Sequence, residues 1–197
     1  MVPMPISVSP EPAVPGGVIL QTVADGPDVP AHSCMETIIW VLDHASSYIY
    51  FQTPYFCPPQ RLVKAMKRAA ERGIDVRIII PGECDMAICD PVNRSYYKTL
   101  TESGVRIYQR PQFNHSKVFV SDDYLGCIGS SNLDWLSMRF LYEINTLLYD
   151  SETAARMKEN FLERAGESEL VTMETINGWS AGEKLSHAAA RLLVPVL

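Results

Sequence analysis

The feature that most restricts the fold of this chain is the apolar run at residues 75–81, Asp-Val-Arg-Ile-Ile-Ile-Pro. Such a run is typical of a strand that helices cover on both faces of a sheet. Amphipathic helical patterns precede it at residues 35–46 and 59–71. Because strands and helices alternate, the sequence predicts an α/β fold, with helices on both faces of a mixed, mostly parallel sheet.

The other predicted elements follow the same alternation. Residues 1–16 hold five prolines and no apolar periodicity, which predicts a leader outside the fold. The sequence therefore predicts two parts: a leader at residues 1–16 and a single domain at residues 17–197. Further strands are predicted at residues 17–24, 48–52, 105–108, 125–128 and 141–149, and further helices around 96–100, at 153–165 and in an amphipathic tail at 181–197.

The charge balance and the cysteines narrow the classes of function. The net charge of −6 argues against a nucleic-acid partner, because such proteins usually carry a basic face. The five cysteines are odd in number and form no C-x-x-C pair, which favours reduced thiols in an intracellular chain over a zinc site. No apolar run approaches the ~18 residues that span a bilayer. A lipid-active chain of this kind would reach its substrate from the membrane surface or through another segment.

His115 and Lys117 are the first residues with evident chemistry. They lie two apart in a β-branched and aromatic run that predicts a strand, so their side chains are expected on one face. Val118 and Val120 are expected on the other face, in a core. Asp122 shares the parity of the valines, and it is predicted to be a supporting residue that fixes the turn after the strand.

The run Gly129-Ser-Ser-Asn132 follows a predicted short strand. Ser131 and Asp134 have the spacing of a capping box, which predicts that a helix begins here. A helix N-terminus preceded by glycine suits a phosphate, and Lys117 would add a positive charge. His115 would then attack phosphorus or shuttle a proton to or from an ester oxygen. The local chemistry indicates phosphodiester cleavage or transfer.

Each of these parts has a structural alternative. A lone histidine on a strand is more often structural than catalytic, and Gly-Ser-Ser-Asn is a common turn. The joint spacing of the His, Lys, Asp, Gly, Ser and Asn positions favours a functional site, since chance would produce it in a chain of this length on the order of once in 10^5.

The pattern His115-x-Lys117-x4-Asp122-x6-Gly129-Ser130-x-Asn132 resembles the signature of the phospholipase D superfamily. The flanking runs at 52–56, 72–77, 131–134 and 142–145 are similar to the cardiolipin synthase type, and in particular to the second half of that family. The similarity covers about residues 17–197 and implies a phospholipase D-like fold.

The resemblance also implies a partner. Superfamily members pair two His-x-Lys motifs, and no other histidine of this chain is followed two positions later by lysine. The second motif would come from a missing N-terminal half or from a homodimer mate. By the same resemblance the other histidine attacks phosphorus, while His115 protonates the leaving alkoxide and activates the incoming alcohol. Lys117, Ser130 and Asn132 would hold the phosphate oxygens.

Glu143 stands where the family places a carboxylate against the catalytic histidine, and it would fix the imidazole tautomer there. A salt bridge from Glu143 to Arg139 is the structural alternative. Gly129 and Asp122 are expected as supporting residues. Neither a metal nor a cofactor is implied, because lysine and amide donors already neutralise the phosphate.

The expected function is phosphatidyl transfer between glycerophospholipids, giving cardiolipin through a phosphohistidine. The resemblance places the chain peripherally at the cytoplasmic side of a membrane, with an anchored full-length form. Two alternatives stay open: a homodimeric phospholipase D-like hydrolase, acting as a phosphodiesterase or nuclease, and an inactive half-domain that binds phosphate. Leu136 and Leu141 stand where the family has arginine and asparagine, which leaves the acceptor alcohol open.

Overall fold

The computed structural model describes residues 17–29 and 31–192, so the predicted leader and the last five residues of the predicted tail lie outside the description. The strands, numbered in chain order, are β1 Ile19–Asp25, β2 Tyr48–Gln52, β3 Phe56–Cys57, β4 Asp75–Pro81, β5 Arg106–Arg110, β6 Val118–Ser121, β7 Leu125–Gly129, β8 Leu133–Asp134, β9 Glu143–Tyr149 and β10 Glu169–Leu170. The helices are α1 Ser33–His44, α2 Gln60–Glu71, α3 Cys89–Arg94, α4 Tyr97–Thr101, α5 Ser151–Gly166, α6 Met173–Gly178 and α7 Ala181–Ala190.

Eight strands form one sheet in the order β1-β9-β7-β6-β2-β4-β5-β10, and β3 pairs with β8 apart from it. The pairs β2–β4 and β4–β5 are parallel, whereas the other five pairs of this sheet are antiparallel. The predicted mixed sheet is confirmed, but the prediction that it is mostly parallel is wrong. Parallel neighbours need crossover connections, which the α2 and α3–α4 segments supply, whereas a tight turn joins β6 to β7.

Helices cover both faces of the sheet, as predicted. On one face α1 and α2 bury Leu42 and Leu62 in a core that includes Phe51 of β2. On the other face α5 stacks Phe161 on Tyr50, with 4.7 Å between ring centroids. The centre of the sheet is therefore a rigid platform. None of the described helices is long and apolar enough to cross a bilayer.

The helix predicted to begin at Ser131 is absent from the described chain at this point. Leu133 and Asp134 form β8 instead, paired in parallel with β3. The Thr53 hydroxyl oxygen accepts from the Leu133 N–H at 3.1 Å, which holds the backbone extended. The Asp134 side chain accepts from the Ser137 N–H at 2.7 Å, so it caps a turn that starts later. The prediction is wrong because long-range pairing outweighs the local capping preference.

Asp122 locks the start of β2. It lies in the turn after β6 with a φ of 52°. Its carboxylate accepts hydrogen bonds from the N–H groups of Ser46, Ser47 and Tyr48 at 2.8, 2.8 and 3.0 Å. One side chain therefore satisfies three backbone donors, in the turn where a supporting residue was expected.

Two glycines of β7 are crowded in different ways. A Cβ on Gly129 would lie 1.9 Å from the Asn145 Oδ1 and 2.7 Å from the backbone oxygen of Ile144. A Cβ on Gly126 would meet the Met157 sulfur at 2.5 Å. The flexible Met157 side chain can move aside, whereas the β9 backbone cannot. Gly129 therefore allows β7 to approach β9 at the end of the sheet where the motif lies.

We expect Gly129→Ala to lower the free energy of unfolding by about 2–3 kcal/mol, because a methyl group there forces β7 away from β9. Gly126→Ala is the matched control and should change it by less than about 1 kcal/mol. Urea denaturation of both variants measures the difference. Equal losses in the two variants would contradict the close approach at Gly129.

Candidate active site

The His-x-Lys motif lies in a loop. β6 begins at Val118, so the prediction that His115 and Lys117 belong to a strand is wrong. The Lys117 ammonium donates to the backbone oxygen of His115 at 2.9 Å, and the Gly129 N–H donates to the Lys117 oxygen at 3.1 Å. His115 is exposed and Lys117 is half-buried. The motif therefore adjoins the start of β6 and the end of β7.

Asn114 explains why the strand begins late. Its Oδ1 accepts from the Ser116 N–H at 3.0 Å and from the Ser116 hydroxyl at 2.6 Å. A side chain that bonds the backbone two residues further on favours a turn over strand pairing. The Asn114 amide also donates to the Gln52 Oε1 at 3.0 Å, which ties the loop to β2. In the sequence, only the turn preference of asparagine indicates that Asn114 holds this loop.

Two aromatic rings flank His115. The Tyr55 ring lies edge-on with its centroid 6.0 Å from that of the imidazole, and the Phe113 centroid lies at 5.9 Å. The Tyr55 hydroxyl donates to the Asp85 carboxylate at 2.8 Å. Burial and this hydrogen bond raise the pKa of Tyr55 to about 12, so the hydroxyl keeps its proton. Asp85 thereby anchors the ring to the segment after β4, and no spacing in the sequence connects Tyr55 with His115.

Ser130 and Glu143 are hydrogen-bonded to each other near Lys117. The Ser130 hydroxyl donates to the Glu143 Oε2 and accepts from the Ile144 N–H at 3.0 Å. Burial lowers the pKa of the Lys117 ammonium, while the carboxylates of Glu143 and Asp134 oppose that shift. The carboxylate of Glu143 therefore acts on Lys117 electrostatically and on Ser130 by direct contact.

The predicted partners of Glu143 differ from the observed one. Within the described residues, no hydrogen bond joins Glu143 to His115, and its bond is to Ser130. No ion pair joins Glu143 to Arg139 there either, so the salt-bridge alternative is wrong. The Arg139 guanidinium lies over the Trp135 ring instead, 4.6 Å from its centroid. Contact between Glu143 and the imidazole stays a prediction of the family resemblance.

The side-chain amide of Asn132 is hydrogen-bonded to Ser137. Its Nδ2 donates to the Ser137 Oγ at 3.2 Å, while its Oδ1 is buried without a partner. The Asn132 Oδ1 is therefore a buried acceptor that lacks a donor among the described residues.

Buried carboxylates dominate the charge of this region: Asp25, Asp134 and Glu143 are all buried. Asp25 pairs with Glu143 in the β1–β9 register and accepts from the Cys34 N–H at 2.9 Å. Burial raises the pKa of Asp134, and burial raises the pKa of the Cys34 thiol to about 11. Of these groups, Glu143 and Asp134 act electrostatically on the ammonium of Lys117.

The cavity beside Lys117 is small. As far as the described residues form it, it measures about 20 Å³, and Thr53, Ser131 and Asn145 contribute polar groups to its wall. Sites for small molecules usually enclose roughly 300–1,000 Å³. The described residues therefore form a floor and one wall, not an enclosed pocket.

The structure brings the predicted site residues together in part. Lys117, Ser130 and Glu143 lie at adjoining ends of β6, β7 and β9, and His115 lies in the loop before them. Asp122 lies at the opposite end of β6, where it supports the sheet. The residues that sequence reasoning missed are the supports Asn114, Asp25 and Asp85.

Comparison of the sequence with known proteins identifies its family. A family model described as "Cardiolipin synthase, PLD-like domain" matches residues 38–165. Cardiolipin synthase 1 of Bacillus cereus is 34% identical over 179 residues, covering 90% of this chain and 35% of that protein. Cardiolipin synthase of Listeria monocytogenes is 33% identical over 183 residues, covering 92% of this chain and 38% of that protein. The chain spans little more than a third of the length of these relatives.

Solved structures share the fold. Nuc from Salmonella typhimurium, a phospholipase D family member, superposes with a TM-score of 0.66 at 20% identity, over 79% of this chain and 99% of that one. Phosphatidylserine synthase from Haemophilus influenzae has a TM-score of 0.66 at 18% identity, over 91% of this chain and 48% of that one. The predicted phospholipase D-like fold is thereby confirmed.

We expect Glu143→Gln to lower the pKa of Lys117 further, because a nearby negative charge favours the ammonium form and its removal favours the neutral amine. NMR titration of the lysine side-chain carbons measures the change. Glu36→Gln on α1, a carboxylate paired with Arg61, is the matched control and should leave Lys117 unmoved. A Lys117 pKa that rises or stays unchanged in Glu143→Gln would contradict the proximity of the two groups.

Proposed function

The chain belongs to the phospholipase D-like domain family of the cardiolipin synthases, and from that premise we propose that it supplies one of two His-x-Lys motifs of a phosphatidyltransferase. The substrates are glycerophospholipids and the product is cardiolipin, formed at the cytoplasmic surface of a membrane. The observation that carries the proposal is the loop of His115 and Lys117 beside Ser130 and Glu143, in a chain similar to cardiolipin synthases over 90% of its length.

The site lacks the positive charge and the enclosure that a phosphate substrate needs, which supports the presence of a second domain. Two buried carboxylates, Glu143 and Asp134, interact with the Lys117 ammonium, so a phosphate anion requires further positive charge. Apolar side chains next to Glu143 are exposed, with Tyr142 at 74% and Ile144 at 53%. Apolar surface of this kind is typical of an interface. A second motif-bearing domain on this side would supply the missing cation and close the small cavity at Lys117.

The first half of the reaction follows from the roles of two histidines. The histidine of the other motif attacks the phosphorus of a phosphatidylglycerol-like lipid, and the bond from phosphorus to the headgroup glycerol oxygen breaks. His115, as the imidazolium, gives its proton to the departing alkoxide. Tyr55 and Phe113 flank the ring and restrict its orientation during this transfer.

The second half reverses the proton transfer. Neutral His115 takes the proton from the hydroxyl group of a second lipid, whose oxygen attacks phosphorus and displaces the other histidine. Lys117 and the amide of Asn132 hold the phosphate oxygens throughout. Ser130 positions Glu143, and the Glu143 carboxylate keeps Lys117 in its charged form.

A homodimeric hydrolase is the second candidate. The chain matches 99% of Nuc, so a unit of this size forms a whole folded chain in at least one relative of the same fold. Two copies of this chain would then provide two His115 residues, one to attack and one to transfer protons. A phosphate-binding half-domain without activity is the third candidate.

We expect cardiolipin to form when the chain is combined with the part of Bacillus cereus cardiolipin synthase 1 that it does not match, in vesicles of phosphatidylglycerol. His115→Ala should reduce the rate by about 10²–10⁴-fold, the usual contribution of a general acid–base group. Lys117→Met should also reduce it, by about 10²–10³-fold. Mass spectrometry of cardiolipin and released glycerol measures both.

The matched control is Lys64→Met on α2, an exposed lysine outside the site that should leave the rate unchanged. Cardiolipin formation that does not depend on His115 would overturn the proposal. Assays of the chain by itself separate the other candidates. A dimer that hydrolyses a soluble phosphodiester supports the hydrolase. A chain that binds phosphate in every combination without turnover supports the half-domain.

A further inference from the structure

A basic cavity lies on the part of the fold built from α3, α4, α6 and α7. It measures about 510 Å³, within the usual range of ligand sites. Four cationic side chains from three helices and the segment after α7 line it: Arg94, Lys98, Lys184 and Arg191. None of its wall residues belongs to the cavity beside Lys117.

The cations of this cavity have few direct partners: the Glu183 carboxylate acts electrostatically on Arg94 and His187, but its hydrogen bonds go to Ser180. Among the described residues no carboxylate lies within 4.0 Å of Arg94, Lys184 or Arg191, and Lys98 has only a loose contact of 3.9 Å with Glu102. Lys184 donates to the backbone oxygen of Asn177 at 2.9 Å, and Arg191 lies over the Tyr96 ring. A chain of net charge −6 thus gathers four cations around one opening. Such a cluster is costly unless an anion binds it.

His187 is a second sign of a ligand site. It contributes to the cavity wall, is only 7% exposed, and its Nδ1 is buried without a hydrogen-bond partner. The Trp179 ring contacts it edge-on with centroids 4.6 Å apart, which fixes the imidazole plane. Since Nδ1 is enclosed, Nε2 is the nitrogen that can reach a ligand. A buried ring nitrogen without a hydrogen-bond partner is uncommon in folded proteins and calls for an explanation.

An apolar strip adjoins the opening. Leu185 is 71% exposed and Leu192 is 80% exposed. They lie seven residues apart and therefore on one side of the α7 segment, next to the side that carries Lys184, His187 and Arg191. Basic residues beside exposed leucines are typical of a surface that meets anionic lipid.

We propose that this cavity binds the phosphate group of an anionic ligand, namely a lipid headgroup whose acyl chains contact Leu185 and Leu192, or free phosphate. The four cations neutralise the phosphate charge, and the Nε2 of His187 donates to one of its oxygens. This is a second anion site that uses none of the residues of the proposed reaction. It would hold the domain against its membrane while His115 works elsewhere on the surface.

The test uses the imidazole NMR signals, which distinguish His187 from His32 and His44 once His115 is replaced. The chain carrying His115→Ala, which disables the motif, is titrated with inorganic phosphate and separately with short-chain phosphatidylglycerol. We expect a saturable shift of His187 in at least one titration. Lys98→Glu/Lys184→Glu should weaken binding about tenfold. Lys64→Glu/Lys67→Glu on α2 makes the same change in net charge and should leave the affinity unchanged.

A shift with phosphate shows that the free anion suffices, and a shift with the lipid alone identifies the headgroup as the source. Either result supports the site whatever the outcome of the cardiolipin assay. No shift of His187 with either ligand overturns the proposal, as does equal weakening in the two double variants. If the charge-reversed variant does not fold, Lys98→Met/Lys184→Met replaces it, with the same weakening expected.

Discussion

Three neighbouring strands that end at the same level make the site possible. The pairing of Val118 with Ile128 and of Gly129 with Asn145 brings the ends of β6, β7 and β9 together. The N–H of Gly129 binds the oxygen of Lys117, and the N–H of Ser130 binds the oxygen of Ile144. Side chains more than twenty residues apart in sequence thus share one edge because backbone hydrogen bonds fix the register. The absence of a Cβ at Gly129 permits that register, since the side chain of Asn145 occupies the space.

The charges around Lys117 bear on which steps of the proposed reaction this domain performs by itself. Burial lowers the pKa of the Lys117 ammonium, and the neighbouring Glu143 and Asp134 oppose that shift, so the lysine is already engaged with negative charge of its own domain. In the proposed reaction this domain provides the acid–base group, and a second domain provides the attacking histidine and the further positive charge.

The sequence predicts the fold where the chain is locally consistent. β2 and β4 have the predicted bounds, because each is a buried apolar run between clear turns. Hydrophobic periodicity did not reveal that most strand pairs are antiparallel, since the pattern of one strand does not give the direction of its neighbour. The spacing of Ser131 and Asp134 satisfies a capping box, but pairing between β8 and β3 decides the backbone. Only tertiary contacts distinguish these outcomes.

The same limit applies to the site. The motif residues His115 and Lys117 are recognisable from spacing, whereas their supports depend on approach in space. Tyr55 reaches the imidazole from the segment after β2, and Asn114 favours a turn in place of the strand.

The most direct measurement is the position of the covalent intermediate. The combined two-motif enzyme is mixed with phosphatidylglycerol, quenched in alkaline denaturant, and digested for mass spectrometry. The account predicts a phosphatidyl adduct on the histidine of the partner motif and an unmodified His115. An adduct on His115 would contradict the assignment of this imidazole as the proton-transfer group.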